Sequence, residues 1–226
     1  MNSQVPAAAR WAAMIRNGSR ILLLGCPGSG KTTLAAGLAH ATRLPLVHLD
    51  DEYWFADWQR PTTSAWIRRQ EELVAAPAWI IDGNYLPTVP VRATRADLVL
   101  VIDTSTLVCL SRVVRRARRI RAGDRCALPA AVRGTRDREV RATQDFTGLL
   151  RKILFFRSRD FWPLLAAARV DPRTEIVVVV QGRRPARRMA TVRRGLAARS
   201  LTGHVVDAAT LRRALTDEPG GAVFTR

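Results

Sequence analysis

The apolar run Ile21-Leu22-Leu23-Leu24 leads directly into Gly25-Cys26-Pro27-Gly28-Ser29-Gly30-Lys31-Thr32, and a helix-compatible stretch follows over residues 32–41. A strand that ends on G-x-x-x-x-G-K-[ST] and opens a helix admits very few folds. The glycines let backbone amides turn inward around a β-phosphate, the lysine reaches the β and γ oxygens, and the hydroxyl holds Mg²⁺. All of those parts are present. Gly25, Gly28, Ser29, Gly30 and Lys31 are placed to cradle phosphates, and Thr32 to ligate Mg²⁺. Thr33 comes next, at a helix N-terminus where backbone donors favour the α-phosphate. Lys31 is informative in itself, because all but two of the 37 Lys+Arg residues are arginines. A compact ammonium fits between two phosphates, whereas a planar guanidinium is too broad for the loop. ATP and Mg²⁺ are therefore the expected cofactors.

Four further apolar runs, over 46–49, 78–81, 98–102 and 176–180, alternate with helical patterns, which predicts an α/β P-loop NTPase with a five-stranded parallel sheet flanked by helices. Three of these runs end in acids (Asp50-Asp51, Asp82 and Asp103), at the strand ends where open α/β sheets bind ligands. The spacing of Trp66, Ile67, Gln70, Leu73 and Val74 predicts a helix over 64–75, between Pro61 and Pro77. A longer helix, 105–121, is expected to bury Leu107, Leu110, Val114, Ala117 and Ile120 and to expose its arginines. Turn formers over 123–134 suit a lid, spanning roughly 112–145. Residues 149–156, 161–168 and 186–198 read as further helices.

At 226 residues and 47% hydrophobic, the chain suits one domain, expected over 19–199. A helical extension over 1–18 precedes it, and a partly flexible extension over 200–226 follows. A formal charge of +18 suits polyphosphate ligands and raises nucleic acid as a partner. The arginines are spread along the chain with no nucleic-acid motif, so that partner is not favoured. Cys26, Cys109 and Cys126 lack metal-ligand or disulfide spacing, which suits a reducing cytoplasm. No apolar run approaches the ~18 residues that span a bilayer, so no membrane is expected. Oligomeric state is not legible.

The segments G-C-P-G-S-G-K-T-T, L-P-L-V-H-L-D-D-E-Y-W, W-I-I-D-G-N-Y, A-D-L-V-L-V-I-D and C-L-S-R-V-V-R-R-A-R-R resemble the bacterial adenylate-kinase-like P-loop proteins labelled topology modulation proteins. The likeness covers residues 19–187. It implies a nucleoside-kinase-like fold with an acceptor-side helical region and an arginine-rich lid, and it supplies no substrate. Two stretches depart from the family pattern: the lid turn Gly123-Asp124-Arg125-Cys126-Ala127-Leu128-Pro129, and Ile153-Leu154-Phe155-Phe156 where the family carries W-x-W-x-F.

Phosphoryl transfer needs positioning and charge neutralisation more than covalent chemistry. Lys31 is one expected catalytic group. Asp50 is expected as general base or acceptor-hydroxyl ligand, because related small-molecule kinases use an acid at the end of the second strand; Asp51 competes for that role. Asp82, closing an hhhD strand end, is expected to hold the Mg²⁺ water shell or touch substrate. The resemblance places Arg92 facing the acceptor. Arg112, Arg115 or Arg116, and Arg119 share one helix face, and Arg115 and Arg119 are expected to close over the γ-phosphate. Arg183 or Arg184 is expected beside the adenine. Tyr53, Trp54 and Trp58 stand at the mouth of the cleft, as stacking or packing groups, while His40 and His48 read as structural. The expected activity is ATP-dependent, Mg²⁺-requiring phosphoryl transfer to a small acceptor, a nucleotide or a hydroxylated metabolite. The alternative is an ATP-binding, nucleic-acid-associated regulator.

Overall fold

In a computed structural model that describes residues 7–17, 19–55, 59–128, 132–133, 146–182 and 185–216, the five apolar runs form five strands. These are β1 (Arg20–Gly25), β2 (Leu46–His48), β3 (Trp79–Asp82), β4 (Leu98–Thr104) and β5 (Glu175–Gln181); a sixth, β6 (His204–Asp207), extends the sheet. All pair in parallel, in the order β2-β3-β1-β4-β5-β6. The sheet thus has one strand more than the sequence suggested. In β6 only Val205 and Val206 are buried, a pattern too short to stand out from a loop.

The helices are α1 (Ala7–Arg16), α2 (Lys31–Thr42), α3 (Leu49–Tyr53), α4 (Thr63–Ala75), α5 (Val89–Ala93), α6 (Thr106–Arg121), α7 (Phe146–Arg159), α8 (Phe161–Ala168), α9 (Pro185–Ala197) and α10 (Ala208–Thr216). Strand alternation divides the core between two faces. Leu22, Leu24, Val99, Val101, Val178 and Val180 meet residues of α4 to α9 on one face. Ile21, Leu23, Leu98, Leu100, Val177 and Val179 meet α1, α2 and α10 on the other. Both faces are therefore covered, which is why the strands read as continuous apolar runs. The segments expected as appendages contribute to this second face, through Trp11, Ala12 and Ile15 of α1 and Leu211 and Leu215 of α10.

In α4 the buried positions are Trp66, Gln70 and Val74, a single stripe at i, i+4 and i+8. Thr62 caps the helix by accepting from Ala65 N at 3.2 Å. The buried face of α6 differs from the expected one. Leu107 is 79% exposed, and the buried residues are Cys109 and Val113. Close approach to the phosphate loop explains this rotation, since a Cβ on Gly28 would sit 2.6 Å from the Cys109 carbonyl oxygen. Among the described residues, no helix is long and apolar enough to cross a membrane. Trp58, Arg183, Arg184 and the lid stretches 129–131 and 134–145 lie outside the described residues.

Candidate active site

The C-terminal ends of β1 and β3 lie side by side, with Leu23 registered on Asp82. Their chain connections leave toward opposite edges of the sheet, the arrangement that opens a ligand crevice in α/β folds. The phosphate loop fills the β1 side of that crevice. Gly28 and Gly30 have φ of +80° and +98°, which side chains with a Cβ rarely adopt. At the start of α2 the amides of Lys31, Thr32 and Thr33 have no intrahelical partner by helix geometry, so the loop and helix present donors to an anion.

The loop's carbonyls are held by neighbours. Arg112 Nη1 donates to Gly28 O at 3.2 Å and to Ser29 O at 3.1 Å. The Thr104 hydroxyl donates to Ser29 O at 3.0 Å, and Lys31 Nζ reaches Cys26 O at 3.3 Å. Asn84 clamps the loop's first residue reciprocally, accepting from Gly25 N at 2.9 Å and donating to Gly25 O at 2.8 Å. Cys26 and Cys109 are both buried, and the hydrogen bond between their thiols, with burial, holds Cys26 above the usual thiol range. The Cys26 thiol therefore packs the loop against α6 in protonated, unreactive form.

The Thr32 hydroxyl donates to Asp82 Oδ2 at 2.6 Å, joining the two residues expected at the metal. His48 is registered opposite Asp82 across the β2–β3 pair, and its Nδ1 lies 3.4 Å from the same carboxylate oxygen. That distance is long for a hydrogen bond, and the contact is an ion pair when the ring is protonated. Burial pushes the Asp82 carboxyl upward, but His48, Lys31 and the Thr32 hydroxyl outweigh it and hold the group below its ordinary value. Reciprocally, Asp82 raises His48. Asp82 Oδ1 is buried and has no partner among the described residues. A carboxylate with one oxygen on Thr32 and the other unpartnered fits a Mg²⁺ water shell, because Mg²⁺ keeps several waters and needs few protein ligands.

Each residue of the D-G-N-Y segment has its own contact. Asp82 meets Thr32 and Asn84 meets Gly25, while Tyr85 donates its hydroxyl to Asp50 Oδ1 at 2.8 Å. Burial, with the Asp50 charge nearby, raises the Tyr85 hydroxyl and keeps it a donor. Gly83 must lack a side chain, since a Cβ there would meet Leu49 Cβ at 2.7 Å. Asp50 and Asp51 lie in the first turn of α3 rather than at a strand end, and Asp50 is exposed toward the cleft mouth.

Arg92 stands differently from the expectation that it faces the acceptor. It is 0% exposed, and its guanidinium donates to Gly83 O at 2.7 Å, Asn84 O at 2.5 Å and Tyr85 O at 3.3 Å. Burial lowers it to about 9, so it stays charged at neutral pH. Arg92 thus holds the backbone from which Asn84 and Tyr85 project. On α6 it is Arg112 that hydrogen-bonds the phosphate loop. Arg115 is exposed, and Arg119 is 70% exposed and ion-paired with Asp124. At 1.5 Å per residue, Arg119 lies about 10 Å farther along α6 than Arg112. The lid end of α6 folds back toward the acceptor side, where Leu128, Val132 and Ile120 pack with Trp54.

Asn84, Tyr85, His48 and Arg112 are the residues that sequence reasoning passed over for the site. The readable signal for Arg112 was its place three residues after Cys109 on the buried face of α6; for Asn84 and Tyr85 it was their position immediately past a strand end.

No protein-family model matches the chain, and no curated protein matches it. Among solved structures, the chain is similar to shikimate kinase from Acinetobacter baumannii in complex with shikimate, at 16% identity over 84% of this chain and 97% of that one, with a TM-score of 0.45. It is also similar to an unliganded sugar kinase from a Janibacter species, at 19% identity over 81% of this chain and 96% of that one, with a TM-score of 0.41. At these scores the similarities carry no argument about substrate or reaction. The fold class, a parallel α/β sheet flanked by helices with a glycine-rich phosphate loop, rests on this chain's own strand order and loop geometry.

Proposed function

We propose that the chain is an ATP-dependent, Mg²⁺-requiring phosphotransferase that acts on a small hydroxyl-bearing acceptor. The observation that carries this reading is the Thr32–Asp82 contact of 2.6 Å beside the phosphate loop, with Asp82 Oδ1 left unpartnered. Bound Mg·ATP would supply the transferable phosphoryl group and the cation that neutralises it.

The chain's residues divide the remaining work. Gly25, Gly28, Ser29 and Gly30, with the first amides of α2, bind phosphate oxygens. Lys31 turns from the Cys26 carbonyl to the anion, exchanging a neutral partner for a charged one. Asp50 accepts the proton of the acceptor hydroxyl as its oxygen bonds to phosphorus, and the bond from phosphorus to the leaving oxygen breaks. The Tyr85 hydroxyl orients Asp50 for that transfer. Arg112, bonded to the Gly28 and Ser29 carbonyls, is assigned to the charge developing on the transferred group.

Calorimetric titration of ATP with and without Mg²⁺ tests the metal assignment. The Mg²⁺-dependent gain in affinity seen with the parent protein should fall roughly 10–100-fold in Thr32→Val and in Asp82→Asn. An equal gain in both variants and parent would remove Thr32 and Asp82 from the metal site.

A further inference from the structure

We propose that Cys26 and Cys109 form an oxidative modification site, in which hydrogen peroxide converts the two thiols to a disulfide that ties the phosphate loop to α6. The proposal concerns the loop as a nucleotide-binding element and goes beyond phosphoryl transfer.

Cys26 follows β1 inside the phosphate loop, and Cys109 lies in the first turn of α6. Their thiols share a hydrogen bond, so the two sulfurs are neighbours although their residues are far apart in sequence. The backbones around them are in contact as well: a Cβ on Gly28 would stand 2.6 Å from the Cys109 carbonyl oxygen and 3.0 Å from Val113 Cγ2. Joining the sulfurs therefore needs no large movement of the loop toward α6. Phosphate binding at the loop calls on backbone amides and Lys31, and on neither sulfur.

Cys26 also lines a small cavity with room for about one water-sized molecule, which Asp103, Thr104, Thr106, Arg157 and Arg188 line as well. Asp103 Oδ2 and Arg188 Nε are buried with no partner among the described residues. A molecule in the cavity that both accepts and donates a hydrogen bond suits such a pair of atoms. Hydrogen peroxide has that size and that chemistry. Cys26 is 5% exposed and Cys109 0%, which favours this oxidant over a bulky one such as oxidised glutathione. The charges nearby act in the same direction. The Cys26 hydrogen bond and the Arg112, Lys31 and Arg188 charges lower Cys109 against the opposing effect of burial, so the pair gives up one proton and shares the other.

Cys26 is unreactive while it holds the shared proton, and reaction begins when that proton rests on Cys109. The Cys26 sulfur attacks one peroxide oxygen, the O–O bond breaks, and the departing hydroxide takes up a proton from solvent, leaving a sulfenic acid on Cys26. The Cys109 sulfur then bonds to the Cys26 sulfur, the S–O bond breaks, and hydroxide leaves as water with the Cys109 proton. The two sulfurs are oxidised by two electrons in all, and one peroxide is reduced to two waters. The new bond draws on the residue whose carbonyl accepts from Ser29 N at 3.0 Å and from Lys31 Nζ at 3.3 Å. A loop tethered in this way is less able to close around a triphosphate, and ATP affinity falls.

The test treats the full-length Cys126→Ser chain, which lacks the exposed third cysteine, with hydrogen peroxide under native conditions. Peptide mapping without reductant should show Cys26 joined to Cys109. The Kd for Mg·ATP should rise about tenfold or more, the equivalent of about 1.4 kcal/mol, and dithiothreitol should restore it. With Cys109→Ser added, dimedone should trap a sulfenic acid on Cys26; label on Cys109 in Cys26→Ser, with none on Cys26 in Cys109→Ser, overturns the assignment of the attacking sulfur. Thiols that stay reduced in the folded chain, or a cross-link that forms only in denaturant, overturn the proposal, and so does a cross-link that leaves ATP affinity unchanged. Should a serine variant fail to fold, the map of the chain with both cysteines decides alone. A reduced chain that binds no ATP removes the nucleotide reading separately, and the map still decides the thiol pair.

Discussion

Replacing Arg92 with methionine should both destabilise the protein and weaken its hold on nucleotide, although Arg92 lies fully buried beneath the loop. Methionine fills much of the same volume and removes the burden of burying a charge, which is large enough to bring the guanidinium down to about 9. The carbonyls of Gly83 and Asn84, bonded at 2.7 and 2.5 Å, lose their donors. An orphaned buried carbonyl costs about 1–3 kcal/mol. With part of that loss offset by the vanished charge, a net destabilisation of about 3 kcal/mol is expected. For a chain of this size that corresponds to a fall in Tm of roughly 6–12 °C. Because the released backbone carries Asn84, the clamp on Gly25 loosens, and ATP affinity should fall along with stability. Thermal unfolding and calorimetric titration of Arg92→Met read the two effects separately. A variant that keeps its Tm and its ATP affinity but shows a raised acceptor KM would refute this reasoning and restore Arg92 as an acceptor contact.

Asp97 makes three contacts with Arg20, at 2.8, 3.0 and 2.7 Å, and this partner holds its carboxyl below the ordinary range. A carboxylate with a depressed folded pKa contributes stability that is present above its unfolded value of about 3.9 and is lost as pH falls through the folded value. The Tm gap between parent and Asp97→Asn should therefore be widest near neutrality and close in acid; a gap independent of pH would contradict the ion-pair account. On α6, Arg112→Ala should reduce turnover by about tenfold or more, while Arg119→Ala should leave it within about twofold. Equal losses in steady-state assays would show that Arg119 leaves Asp124 to reach the transferred group.

Much of the architecture was legible because both sheet faces are covered. Ile176 to Val180 and Leu98 to Ile102 have to be apolar throughout, and they declare themselves as strands. The phosphate loop was legible because its glycines answer to backbone geometry that no other residue satisfies easily. What escaped notice depended on contacts distant in sequence. The α6 face was misjudged because apolar spacing favours Leu107, whereas the approach of Gly28 to Cys109 turns Leu107 to solvent. The resemblance put Arg92 facing the acceptor, and the sequence does not show the Gly83, Asn84 and Tyr85 carbonyls that surround it. Asn84 and Tyr85 contact Gly25 and Asp50, 59 and 35 residues earlier. Helix and strand periodicities are blind to pairings at that range. β6 escaped for a different reason: it buries only Val205 and Val206, and its place in the sheet depends on β5 already being present.

The decisive experiment measures acceptor-dependent ADP release by the parent chain and by Lys31→Ala across a panel of nucleosides, nucleoside monophosphates, sugars and hydroxylated metabolites, with ATP binding followed in parallel. Phosphoryl transfer at the phosphate loop predicts ADP release that rises with acceptor concentration and falls by about 100-fold or more when the lysine is removed. ADP release at the parent rate in Lys31→Ala, or tight ATP binding with no acceptor-dependent ADP from the parent chain, would contradict it.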